Sequence, residues 1–135
     1  MRIPARTVLT PIARRDSVRL IVLFGSQASG RTHPGSDVDV AVWTEHSLSP
    51  AQRTRLWIDL SALFQTDIDL TLLNRAEPLL LNQVATKSRL LYESKRGAWL
   101  DFKGYAFRYY QDSQKYRDDL TRYLWRELRG LRHAR

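Results

Sequence analysis

FGSQASGRTHPGSDVDVAV, residues 24–42, carries the reading of the fold. It is preceded by RLIVL, so residues 19–24 form an apolar, branched run that stops at Gly25 and reads as a buried strand. GSQASGRTHPG (25–35) is loop chemistry, with room for one helical turn over 27–31. DVDVAVW (37–43) alternates polar and apolar before turning wholly apolar, which predicts a second strand.

Outward from this stretch the chain alternates helix and strand signals. Residues 9–17 suit a short helix or an irregular lead-in. Ser49 followed by Pro50 is a helix start, a hydroxyl cap and then proline at the first helical position. That helix is predicted to run to about residue 65, with Leu56, Leu60, Leu63 and Phe64 on one face. DIDLTLL (67–73) predicts a third strand that ends at Asn74. Pro78 opens another predicted helix carrying Leu80, Leu81, Val84, Leu90 and Leu91. From about 98 to 131, Trp99, Phe102, Ala106, Tyr109, Tyr116, Leu120 and Leu128 recur at helical steps. The expected class is α/β (α+β): a small mixed sheet flanked by helices, closed by a long C-terminal helix. One domain over 1–135 is expected, with its core at about 9–95 and a helical extension at about 96–135.

Composition narrows the chemistry. The 135 residues hold 22 Lys and Arg against 14 Asp and Glu, a formal charge of +8. This favours a polyanionic partner, or is simply a soluble arginine-rich surface. Arg122, Arg126 and Arg129 would share one helix face, either meeting anions or complementing the helix end. The absence of cysteine excludes disulfides, thiol nucleophiles and zinc–thiolate sites, and fits a reducing compartment. No run approaches the ~18 apolar residues that span a bilayer, and MRIPARTVLTPIARRD lacks the apolar stretch of a secretory signal. A cytoplasmic protein is expected, with no membrane partner.

Three acidic positions stand out. Asp37 and Asp39 lie two apart in the second strand, so both carboxylates would share one face while Val38, Val40 and Val42 anchor the other. Carboxylates held together repel unless a cation, an Arg or a proton intervenes. Magnesium, a hard ion that takes carboxylate, phosphate and water oxygens, is the economical solution. Asp67 and Asp69 repeat the pattern, and a third strand beside the second would add one carboxylate to a two-metal clamp. Gly25 lets a phosphate approach the backbone closely, and Ser26 adds a hydroxyl. The loop lacks GxxxxGK[ST], and Ser26 has no His–Asp arrangement, so neither a P-loop nor a serine hydrolase is supported.

Taken together, Gly25-Ser26, Ala28, Gly30 and then Ser36-Asp37-Val38-Asp39 resemble the GSxAxG…SDxD signature of the DNA polymerase β-type nucleotidyltransferase superfamily. The short chain and DIDLTLLNRAEPLLLNQVATKSRLLYE (67–93) most resemble its minimal nucleotidyltransferase (MNT) branch. The likeness covers about residues 20–93. It implies that Gly25, Ser26 and Ser36 hold the nucleotide, that Asp37 and Asp39 bind metal, and that Asp69 rather than Asp67 is the third acid. Many members carry Arg where this chain has Ser29, with Arg31 two places on, which leaves the phosphate-contacting Arg open. The resemblance further implies two Mg²⁺ ions, ATP as substrate, and a HEPN-domain toxin as partner, silenced by AMP transfer to a tyrosine hydroxyl. Three other readings stand beside it: an antitoxin that blocks its toxin by binding alone, a small basic nucleic-acid-binding module, and transfer to a small molecule. His33 reads as a solvent-exposed loop residue or a phosphate contact, His46 and His133 lack metal-ligand spacing, and Lys87 and Arg89 either face the triphosphate or, as helix-surface cations usually do, lie in solvent.

Overall fold

The computed structural model describes residues 2–25 and 38–133. Ser26, Ser36 and Asp37, together with Arg31, His33 and the turn expected over 27–31, lie outside the described residues. In chain order the elements are α1 (Arg6–Arg15), β1 (Val18–Phe24), β2 (Val38–Thr44), α2 (Pro50–Phe64), β3 (Ile68–Leu72), a 3₁₀ turn (Leu73–Arg75), α3 (Pro78–Lys87), β4 (Arg89–Glu93) and α4 (Ala98–His133). The strands form one mixed sheet in the order β3-β2-β1-β4. β1 runs antiparallel to β2 and β4, and β3 runs parallel to β2. A parallel neighbour requires a crossover, and α2 supplies it.

Alternation along the strands splits the core into two layers. Ile21, Leu23, Val38, Val40, Val42 and Ile68 face Leu9 and Ala13 of α1 and Leu56, Leu60 and Phe64 of α2. Leu20, Val22 and Ala41 face Leu81 and Val84 of α3 and Ala98, Phe102 and Ala106 of α4. The sheet is thus covered on both faces, as its nearly continuous apolar strands require. Ala106 is the last buried residue of α4, and every residue from 118 to 132 is exposed.

The start of α2 follows from three residues. Ser49 Oγ accepts from the Gln52 backbone N–H, and the Gln52 side chain accepts from the Ser49 N–H, a reciprocal pair that satisfies helix-end donors. Pro50 loses nothing at the first helical position. At the far end of β2, the Asn74 side chain takes the place of a strand partner. It accepts from the Thr44 N–H at 3.0 Å and donates to the Thr44 carbonyl at 2.7 Å.

One expectation is corrected. Leu90 and Leu91 do not continue the helix opened by Pro78; they belong to β4, the edge strand beside β1. The helix stops at Lys87, where Ser88 turns extended and its hydroxyl donates back to the Val84 carbonyl. Arg89 is accordingly the first strand residue, paired with Leu23, and not a helix-surface cation. The lead-in expected over 9–17 is the regular helix α1, which holds Pro11 within it.

Asp16 ties α1 to α2. Its carboxylate, closed to solvent, accepts from Arg15 at 3.0 Å and from Arg55 at 2.8 Å. Burial pushes its pKa up, and the hydrogen bonds from the two guanidiniums outweigh that and hold it below the ordinary aspartate value. A depressed carboxyl stabilises the fold above the unfolded pKa of about 3.9 and loses that contribution as pH falls through the folded value. Both arginines are partly exposed, so their share is discounted for solvent. Asp16→Asn is expected to cost about 1–2 kcal/mol in urea unfolding at pH 7. The deficit shrinks as pH falls below about 4, where the unfolded carboxyl takes up its proton, and closes only once pH is below the lowered folded pKa.

Candidate active site

The site end of the sheet is where β1 stops and β2 begins. Phe24 lies opposite Asp39 in the antiparallel pair, and Gly25 follows at once with φ +74°. A side chain is disfavoured at that φ, and space excludes one as well. A Cβ on Gly25 would collide with Asp39 Oδ2 and stand 3.2 Å from its Cγ. The glycine backbone therefore forms a wall against the Asp39 carboxylate.

Asp69 comes to the same place from the other side. In the parallel pair Asp39 is the register partner of Asp69, between Val38–Ile68 and Val40–Leu70. The valines and Ile68 face α1 and α2, so both carboxylates lie on the opposite face of the sheet. Asp67 precedes the first paired residue of β3 and is exposed. The parallel register thus brings Asp39 and Asp69 together. Among the described residues no three acidic or histidine side chains gather as a metal-holding group. The pair belongs to an acid set whose further member expected from the sequence, Asp37, lies outside the described residues.

Asp69 is held in place by its neighbour. Trp57 of α2 donates its Nε1 hydrogen to the Ile68 carbonyl at 2.7 Å, which pins the crossover helix to the strand beside the acid. Arg53, one helical turn before Trp57, lines with it a groove of about 330 Å³ whose strand side is Ile68, Asp69 and Leu70. Arg53 also borders a larger cleft of about 600 Å³, lined by Thr44, Asn74 and Arg75 among others. Sequence reasoning did not single out Arg53, since an arginine on an amphipathic helix looks like any solvated one. The sequence signal that could have found it is its spacing from Trp57, which puts a cation and an indole on one helix face.

The family model "Polymerase beta, Nucleotidyltransferase" matches residues 8–97. A protein adenylyltransferase, MntA of Shewanella oneidensis, is 34% identical over 85 residues, 61% of this chain and 61% of that protein. The match thus spans about three fifths of that relative's length. A crystal structure of a toxin–antitoxin with AMP-PNP superimposes with a TM-score of 0.72 at 28% identity, over 89% of this chain and 98% of the other. A structure of the tri-AMPylated Shewanella oneidensis HEPN toxin in complex with MNT antitoxin superimposes with a TM-score of 0.65 at 25% identity, over 89% of this chain and 95% of the other. Of the 135 residues 99 lie outside α4, so these matches take in at least about 21 residues of the long helix. The family model covers two thirds of the chain, and this chain belongs to the polymerase β-type nucleotidyltransferase family.

Proposed function

We propose that this chain is a Mg²⁺-dependent antitoxin that transfers AMP from ATP to a tyrosine hydroxyl of a HEPN ribonuclease toxin and so neutralises it. The observation that carries the reading is the register of Asp39 with Asp69 on one face of the sheet, against the side-chain-free wall of Gly25. The likeness to an adenylyltransferase, and to antitoxins solved with AMP-PNP and with an AMPylated HEPN toxin, supports the choice of nucleotide and acceptor.

The donor set fits the ion. Two carboxylates from adjacent strands, facing the same way, supply hard oxygens at one point, and their mutual repulsion is offset by a divalent cation. Asp39, with Asp37 and Asp69, would hold magnesium, which when bound neutralises phosphate charge and makes the acceptor hydroxyl a better nucleophile. The Gly25 backbone would border the triphosphate, and Ser26 and Ser36, named from the sequence, would be its further contacts. Asp69, on the exposed side of the pair, stands where an acceptor arrives and takes the proton of the hydroxyl. The phenolic oxygen forms a bond to the α-phosphorus, the bond from that phosphorus to the bridging oxygen breaks, and pyrophosphate leaves with the electron pair. Arg53, which shares a groove with Asp69 at the edge of the sheet, is the cation we assign to the incoming groups.

The test is transfer of label from [α-³²P]ATP to purified HEPN toxin in the presence of Mg²⁺. Label is expected on the toxin, on tyrosine, and EDTA is expected to reduce transfer to background, with recovery on adding back Mg²⁺. No transfer by the intact chain overturns the enzymatic reading. Neutralisation by a chain that transfers nothing would establish the antitoxin that works by binding alone.

A further inference from the structure

Resting on that reading, we propose that the projecting half of α4 is the arm that captures the HEPN toxin, through one apolar line that continues the helix's own core-facing line. Phe102 and Ala106 are wholly buried against the sheet. At about 100° per residue the same line is extended by Tyr109, Tyr116, Leu120, Leu124, Leu128 and Leu131, and Leu131 returns to within roughly 20° of Phe102. None of these six is covered: Tyr116 is 70% exposed and Leu131 69%. From Phe107 to His133 the helix can reach about 40 Å at ~1.5 Å per residue. A lone helix of this length with so much apolar surface in water gains little from its own propensities and is stabilised by covering that line.

The occupant follows from three observations. The long helix has a counterpart in the structure of a HEPN toxin in complex with MNT antitoxin, since at least about 21 of its residues lie within that match. The line itself is ill-suited to a second copy of the chain, because self-paired helices favour branched aliphatic residues at every seam position. Here the seam carries tyrosines at 109, 116 and 123 and a carboxylate at Glu127, between Leu124 and Leu131. Tyrosine, an apolar body with a polar tip, belongs to the surface of a different protein partner. Finally, α4 starts on the sheet face that also bears Asp39 and Asp69, so a toxin held along the arm is tethered to the body on the side of the acids. The matching face on the toxin is therefore an apolar helical groove with a donor set to meet Glu127 and an acceptor set to meet Arg117, which also falls on this line. Arg126 and Arg129 lie on the far side of the helix from this line and remain in solvent.

The experiment compares the full-length chain with the double variant Leu120→Glu, Leu124→Glu. Circular dichroism and nucleotide binding report that the body is intact. The double variant is expected to bind the HEPN toxin at least 100-fold more weakly. In AMP transfer its KM for toxin rises by the same factor while kcat at saturation holds. Arg129→Glu, on the far side, is expected to leave both unchanged. Toxin binding by the double variant at wild-type affinity overturns the proposal. So does a wild-type chain that forms dimers which the double variant breaks while toxin binding persists, because the arm is then covered by a second copy. A wild-type chain that fails to bind the toxin overturns it as well. If toxin binding requires Leu120 and Leu124 but no AMP is transferred, the arm stands and the enzymatic reading alone fails.

Discussion

Asp69→Asn is expected to lower AMP transfer about 10³-fold while leaving the fold intact. The substitution keeps shape and removes one negative charge from an exposed position on β3, so nothing in the core changes. It also removes both proposed roles of the residue, a hard anionic ligand and a proton acceptor. Loss of a metal-centred stabilisation worth several kcal/mol corresponds to about three decades in rate. The measurement is the single-turnover transfer rate at saturating ATP and toxin, beside a thermal melt that matches wild type. Asp67→Asn, two residues earlier and outside the paired strand, serves as the contrast and is expected to keep most of the activity. Equal rates for wild type and Asp69→Asn would leave Asp39 and Asp69 as neighbours without a shared task.

Gly25→Ala is expected to damage both stability and chemistry. At φ +74° an alanine costs about 1–2 kcal/mol by backbone conformation alone. The added methyl also meets the Asp39 carboxylate, so either the turn or the acid must move. A displacement of about 1 Å at a reacting group can cost ~10²-fold in rate. Denaturant unfolding should show the conformational share. Transfer kinetics should show a drop larger than stability explains, since a protein with several kcal/mol in hand remains folded after losing two. Asp39→Ala, made in the same background, should recover part of the lost stability by removing the clash, while transfer falls further because the carboxylate itself is gone.

Much of this was legible in the residues. RLIVLF, DVDVAVW and DIDLTLL read as strands because branched apolar residues between turn formers have few other uses, and each is a strand with ends within one residue of the expectation. Ser49-Pro50 was legible as a helix start because capping is local chemistry. β4 was not. Arg89-Leu90-Leu91-Tyr92-Glu93 is five residues long, and two adjacent leucines fit a helix stripe as well as a strand buried on both faces. What decides the matter is β1, whose free edge accepts the segment, and that edge is 65 and more residues away in the chain. The acid pair was half legible. Two-residue spacing places Asp69 on a face, but only the parallel register with β2 selects it as the neighbour of Asp39. Arg53 was illegible for a similar reason, since its importance lies in the groove that the crossover closes.

That crossover has a temporal consequence. Asp39 and Asp69 are separated by thirty residues of chain, and they meet only after α2 has swung across and docked with Leu56, Leu60 and Phe64 inward. Joining distant parallel strands is slow relative to forming a local hairpin such as β1–β2. A nascent or refolding chain should therefore regain its helical signal first and its catalytic competence last. On the proposed function, AMP transfer would arrive all at once, because its two acids are brought together in a single closing event.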